Sequence, residues 1–278
     1  MTQPPSAPIP KLLYGTAWKE ERTEGLTTLA LEAGFRGIDT ANQRKHYFEV
    51  AVGKAVQSAI GKGSLTRGEL FLQTKFTFKD GQDERLPYDP KAPIATQVRQ
   101  SFESSLEHFG TDYVDSFVLH GPSSRDGLKP ADVEAWRAIE ALARDGRTRF
   151  IGVSNVTLAQ LRELLQIAEV APRFLQNRCY AKAGWDRAVR QLCREHGVVY
   201  QGFSLLTANR AELQTAPIKA LSKRTGRSAA ELVFRFAVEV GMLPLTGTAS
   251  AEHMRLDLGA LDFPLERADV DLVEKLAG

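Results

Sequence analysis

Short apolar runs recur eight times along this chain, each followed by a longer stretch, several of them with helical spacing. That alternation restricts the fold more than any other feature. The runs are KLLYG (11–15), RGIDT (36–40), LFLQTKF (70–76), YVDSFVLHG (113–121), RFIGVSN (149–155), RFLQNRCY (173–180), GVVYQGFS (197–204) and MLPLTG (242–247). Between them, Val98, Phe102, Leu106 and Phe109 fall on one helical stripe, as do Leu158, Leu161, Leu164, Leu165 and Ala168. The segment 228–240 opens on Ser228 with Glu231 three residues later, a capping box. Eight strand–helix repeats without a linker or composition break predict an α/β fold: a (β/α)8 TIM barrel forming a single domain over 1–278. An open doubly wound sheet would stop at fewer strands. The Pro-rich start, 1–10, is expected to be a flexible lead-in. At 278 residues and 43% hydrophobic, the chain can bury the core that a barrel requires.

A barrel gathers the C-terminal ends of its strands around one mouth. Asp39, Lys75, His120, Ser154, Asn155, Gln176, Ser204 and Thr246 all follow or end apolar runs, so distant positions converge. Singly, each has an ordinary explanation as a cap, a snorkelling lysine or a core histidine. Together they describe chemistry. A lysine and an aspartate facing one pocket should pair, because neither tolerates burial alone. A phenol beside that lysine should have a lowered pKa and could protonate a carbonyl oxygen. Hydrolytic signatures are missing: there is no GxSxG, no HExxH and no clustered metal-ligand spacing, so no metal is expected. GKGSLTRG (61–68) follows a helix and precedes a strand, the reverse of a dinucleotide fingerprint. A nucleotide would instead suit PLTGTASAEHM (244–254), a strand end and small residues leading into a helix.

Other classes are argued against more briefly. A net charge of +2 gives no reason to expect nucleic acid, and RKH (44–46) reads as a solvated loop. No run of apolar residues is long enough for a membrane span. Cys179 and Cys193 read as free thiols in a reducing, cytoplasmic compartment.

With these residues in hand, the chain resembles the aldo-keto reductases. The pieces are YGTAW, GFRGIDTA, LFLQTKF, DYVDSFVLHGP, IGVSN, FLQN, GFSLL and HMRLDL, in the family's order from 14 to 258. The resemblance implies a barrel that binds NADP(H) or NAD(H) and reduces small aldehydes or ketones. It places the catalytic tetrad on Asp39, Tyr47, Lys75 and His120. It assigns the nicotinamide carboxamide to Ser154, Asn155 and Gln176, and the aromatic stacked on the ring to Phe203. Ser204 and Leu205 would begin the pyrophosphate loop, while Thr246, Gly247, Thr248 and His253 would meet the adenosine half. Thr16 belongs to the implied cofactor set; Trp18, His46 and Gly121 belong to the implied substrate pocket.

Three departures shape the expectations. The loop from Asp39 is longer than the family's DTAxxYxNE, and counting back from Glu49 and Gly53 puts His46 in the tyrosine register. Tyr47 is the chemically suitable acid, and His46 its rival. The family's lysine–serine pair and following arginine, which clamp the 2′-phosphate, correspond to a stretch reading TGTASAEH, where only His253 and Arg255 offer positive charge. NADP(H) is still slightly favoured over NAD(H). The long C-terminal loop of many members is expected to be missing, with 76–93 and 121–130 shaping the substrate pocket instead. Two other readings stay open: a Schiff-base lyase acting through Lys75, and a non-catalytic nucleotide sensor.

Overall fold

The computed structural model describes residues 7–276. Strands β1 (Leu13–Gly15), β2 (Gly37–Asp39), β3 (Phe71–Phe76), β4 (Val114–Leu119), β5 (Thr148–Ser154), β6 (Phe174–Arg178), β7 (Val199–Phe203) and β8 (Leu243–Thr246) are all parallel and follow one another around a closed barrel. β8 pairs back onto β1 through Leu13↔Leu245. The helices are α1 (Thr23–Ala33), α2 (Glu49–Gly61), α3 (Ile94–Phe109), α4 (Pro130–Arg144), α5 (Leu158–Ile167), α6 (Arg187–Glu195), α7 (Ala216–Thr225), α8 (Ala229–Glu239), α9 (Ala251–Gly259) and α10 (Arg267–Glu274). The fold is the (β/α)8 barrel that the alternation predicts. Two helices follow β7, and two follow β8, where simple alternation predicts one each; α10 packs back against α7 and α8. The capping box forms as read: Ser228 Oγ accepts from the Glu231 backbone N–H, and Glu231 Oε2 accepts from that of Ser228.

Period-two alternation divides each strand between two cores. Leu72 and Phe76 of β3 face the helices and join the large outer cluster. Inside the barrel, Phe71, Phe174, Leu243 and Leu245 build an apolar floor with Leu13. Ala7 is buried in that floor, and Arg149 Nη1 donates to its carbonyl oxygen at 2.9 Å. Within the expected loose lead-in, Ala7 is thus packed and Ile9 half-buried against the same floor while Pro8 is exposed; residues 1–6 lie outside the described residues. Above the floor, the same inward faces turn polar, with Gln73 and Lys75 two and four residues beyond Phe71.

α2 begins at Glu49, two residues beyond the expected start near Tyr47. Residues 43–47 form turns instead, with the backbone N–H groups of His46 and Tyr47 donating to the Gln43 carbonyl. α2 meets α3 closely: a Cβ at Gly53 would lie 1.8 Å from the His108 carbonyl oxygen, so only glycine fits there. Glu49, one turn earlier, accepts from Thr74 of β3 and pairs with His108 Nδ1 at 2.8 Å. That clamp fixes the helix entrance directly after Tyr47. Among the described residues, no helix is long and apolar enough to cross a membrane, and no group of three His, Cys, Asp or Glu could hold a metal ion. Cys179 and Cys193 are buried free thiols.

Candidate active site

Asp39 ends β2, and Lys75 lies one residue from the end of β3, both on inward faces. Lys75 is fully buried; its Nζ donates to Asp39 Oδ1 and to the Thr40 carbonyl, both at 2.7 Å. Its ammonium has one further donor and sits 5.3 Å from the centroid of the Tyr47 ring. The Tyr47 ring in turn meets the His120 ring edge-on, with centroids 5.8 Å apart. The structure thus brings Asp39, Tyr47, Lys75 and His120 together from three strand ends and one loop.

Tyr47 does not carry the lowered pKa expected from its neighbour. Burial raises the phenol well above its ordinary value, and the Asp39 carboxylate adds to the rise. Desolvation is the larger cause, and the Lys75 cation, paired with Asp39, does not outweigh it. Lys75 itself is pulled below the usual lysine range by burial, with Asp39 opposing. His120 is held well below its ordinary value by burial and by the Lys75 cation, so its imidazole is neutral. Its Nδ1 lies 2.7 Å from Thr77 Oγ1.

His46 takes a different place. It stacks on Trp18 with ring centroids 4.0 Å apart and lines the second cavity only. Trp18 is 68% exposed, a rim residue and not a core one.

Two cavities open at the barrel mouth. The first, about 530 Å³, contains Ser154, Asn155, Gln176, Phe203, Ser204, Leu205, Thr246, Gly247, Thr248 and His253 of the expected cofactor set. The second, about 660 Å³, contains Trp18, His46 and Gly121 of the expected substrate set. Its walls also come from Thr77–Gly81 and Pro90 of the loop after β3, and from Gly121–Arg125 of the loop after β4. Four residues line both cavities: Tyr47, His120, Asn155 and Phe203. Thr16 lines neither; its buried hydroxyl turns back to donate to the Asp39 carbonyl at 3.0 Å. Lys75 lines neither as well, because Asp39 and Tyr47 cover it.

Trp18, Asn155 and Ser204 adopt left-handed φ of 61°, 56° and 57°, a conformation uncommon for non-glycine residues that Glu20, Trp185 and Asp186 share outside the two cavities. At Asn155 the bend sends the side chain back to donate to the His120 carbonyl at 2.8 Å. Ser154 Oγ donates to the Gln176 carbonyl at 2.7 Å, tying β5 to β6 at the cavity wall.

Sequence reasoning did not find Lys19, Asp257, Gln73 or Gln201. Lys19 is 5% exposed, and its Nζ donates to the Gly247 carbonyl at 2.7 Å and lies over the Tyr14 ring. Burial without a carboxylate partner lowers its pKa to about 8. Tyr14 OH donates to the next loop carbonyl, that of Thr248, at 3.0 Å. These two side chains therefore hold the loop after β8 in place. Among the residues lining the first cavity, His120 and His253 are the only histidines and there is no lysine or arginine; Arg255 is not part of its wall.

Asp257, on α9, lines the same end of the first cavity and accepts from Thr246 Oγ1 at 2.6 Å. Burial raises its carboxyl from 3.8 to about 6. The folded state thus keeps a proton that the unfolded chain releases between those values. The associated stability is present below about pH 4 and is lost as pH rises through 6. Asp257→Asn should therefore stabilise the protein at about pH 8 by roughly 2 kcal/mol and give no gain at about pH 4. Urea unfolding at the two pH values checks this; equal gains at both would show that the charge is not the cause.

Comparison with known proteins agrees with this geometry. Residues 13–277 match the model of the aldo/keto reductase family. A glyoxal reductase of Bacillus subtilis is 28% identical over 92% of this chain and 83% of its own. An NAD/NADP-dependent indole-3-acetaldehyde reductase of Schizosaccharomyces pombe is 27% identical over 96% of this chain and 90% of its own. The crystal structure of an aldo/keto reductase from Brucella melitensis superposes with a TM-score of 0.81 at 27% identity, covering 96% and 94% of the two chains.

Proposed function

Because the chain belongs to the aldo/keto reductase family, whose NAD(P)H-dependent members act on carbonyl groups, we propose that it reduces small to medium aldehydes and ketones with Tyr47 as proton donor. The observation that carries this reading is the shared wall of the two cavities, where Tyr47 and His120 face both. When bound in the first cavity, the reduced nicotinamide supplies the hydride.

This chain's residues supply the rest. The first cavity fits a nicotinamide dinucleotide: Ser154, Asn155 and Gln176 offer hydrogen-bonding groups at the barrel axis, and Phe203 offers an aromatic face. Ser204 and Leu205 would flank the phosphates, with Thr246–Thr248 and His253 left to meet the adenosine half. A substrate carbonyl entering from the second cavity meets Tyr47 and His120. The raised pKa keeps the phenol protonated at neutral pH, ready to donate as negative charge develops on the carbonyl oxygen. Lys75 stands behind the ring, where its charge offsets the phenolate that forms. With its Nδ1 engaged by Thr77 Oγ1, neutral His120 is left to meet the same oxygen through Nε2. His46 and Trp18 form the outer wall of the substrate cavity.

The lyase reading loses its footing in the geometry. Lys75 is wholly buried, bonded to Asp39 and Thr40, and lines neither cavity, so no substrate carbonyl reaches it. For the cofactor, NADP(H) is favoured by a small margin. Lys19 adds positive charge near the stretch that lacks the usual lysine, but its ammonium is buried, bonded to the Gly247 carbonyl and outside the cavity wall, so its help is weak. Without an arginine fork at His253, the preference should stay within about tenfold. The S. pombe relative is described as using either dinucleotide.

Fluorescence titration with NADPH and NADH, followed by addition of small aldehydes, tests the reading. Both dinucleotides should bind, NADPH slightly more tightly, and aldehyde should oxidise the bound cofactor. Tight binding with no oxidation by any aldehyde would instead support a nucleotide sensor.

A further inference from the structure

Above the apolar floor of the barrel lies a layer of three buried amides, and two of them, Gln73 and Gln201, have no direct part in the proposed chemistry. Strand register sets it up: Gln73 pairs with Asp39 across β2 and β3, and Gln201 pairs with Gln176 across β6 and β7. Gln73 and Gln201 are fully buried and face each other across the barrel. They form a reciprocal amide pair, Gln73 Nε2 donating to Gln201 Oε1 at 2.7 Å and Gln201 Nε2 to Gln73 Oε1 at 2.9 Å. Gln176 Nε2 joins the pair by donating to Gln201 Oε1 at 2.9 Å. Both Gln73 and Gln176 use their other N–H on Asp39 Oδ1, at 2.7 and 3.0 Å. That one oxygen thus receives two amide donors and the Lys75 ammonium.

Buried amides must satisfy donors and acceptors, so this layer has one self-consistent orientation. The Asp39 carboxylate only accepts, so Gln73 and Gln176 must both turn Nε2 toward it, and Gln201 then presents Oε1 to both amides. Gln176 must then turn Nε2 inward. Its Oε1 makes no hydrogen bond among the described residues and belongs to the wall of the first cavity. A lone acceptor there suits an amide N–H donor on the ligand.

We propose that Gln73 and Gln201 are positioning residues. They hold Gln176 with its carbonyl oxygen toward the carboxamide N–H of the nicotinamide, and they hold Asp39 in register for Lys75. The proposal rests on the cofactor assignment above and goes beyond it by naming what orients Gln176. It links the nicotinamide end of the cofactor site to the proton-donor group through one rigid network, with no motion required.

The test separates the nicotinamide from the rest of the cofactor. Gln201→Met keeps the side-chain length but removes the acceptor for Gln176 and the donor for Gln73. Titration of this variant with NADPH should show at least about tenfold weaker binding. Binding of 2′-phospho-ADP-ribose, which lacks the nicotinamide, should be unchanged. Gln201→Asn, too short to span both partners, should behave alike and serves if the methionine variant does not fold. Equal weakening for both ligands would indicate a merely structural role and overturn the proposal, as would no weakening at all. Wild-type protein that bound neither dinucleotide would instead overturn the functional reading, and this inference with it.

Discussion

Tyr47→Phe should lower kcat/KM for aldehyde reduction by about 10³-fold, roughly 4 kcal/mol of transition-state stabilisation, while leaving dinucleotide binding nearly intact. The substitution removes a single oxygen. Among the described residues the Tyr47 hydroxyl makes no hydrogen bond, so its loss leaves no partner unsatisfied and should not disturb the fold. The ring stays against His120 and Lys75. The loss should fall on kcat, because the phenol acts when charge develops on the substrate oxygen and not in the ground state. The companion variant His46→Ala decides the register. It removes the stacking partner of Trp18 and should raise KM by several-fold with a small change in kcat. If His46→Ala abolished turnover and Tyr47→Phe did not, the longer loop would have placed the donor at 46.

Much of this site is legible in the sequence, for a physical reason. Asp39, Lys75, His120 and Gln176 interrupt or end runs that are otherwise apolar, and barrel closure turns such positions into neighbours. Tyr47 and His46 were harder to separate, because they adjoin in a loop with no period. Only the packing shows one ring against Lys75 and the other on Trp18. Gln73 and Gln201 are polar residues within largely apolar strand runs. Their meaning depends on two strands lying across the barrel from each other, which no local pattern encodes. Nothing in YGTAWKEE announces that the Lys19 ammonium reaches the loop after β8. The expected direction of the Tyr47 shift failed differently. Sequence places a cation near a phenol, but the sign depends on how much of that charge Asp39 neutralises and how much water the ring has lost.

Lys75→Met is expected to be damaging in two distinguishable ways. Its methionine matches the buried stem of lysine but carries no charge, so Asp39 loses the one cation it is paired with. An unpaired carboxylate in this interior costs about 3–5 kcal/mol of stability, less whatever the Gln73 and Gln176 amides recover. Denaturant unfolding should show that loss. Activity should fall too, by about 10²–10³-fold, because phenolate formation at Tyr47 is no longer offset by a cation behind the ring. If Lys75 acts only through Tyr47, the Lys75→Met/Tyr47→Phe pair should lose little more activity than Tyr47→Phe alone. Additive losses would mean that Lys75 reaches the substrate independently. A second pair separates folding from chemistry. Adding Asp39→Asn to Lys75→Met removes the stranded charge while keeping an acceptor for the two amides. Stability should return toward that of the wild type, while activity stays low. Recovery of activity together with stability would mean that the ion pair serves the fold alone and that Tyr47 needs no cation to give up its proton.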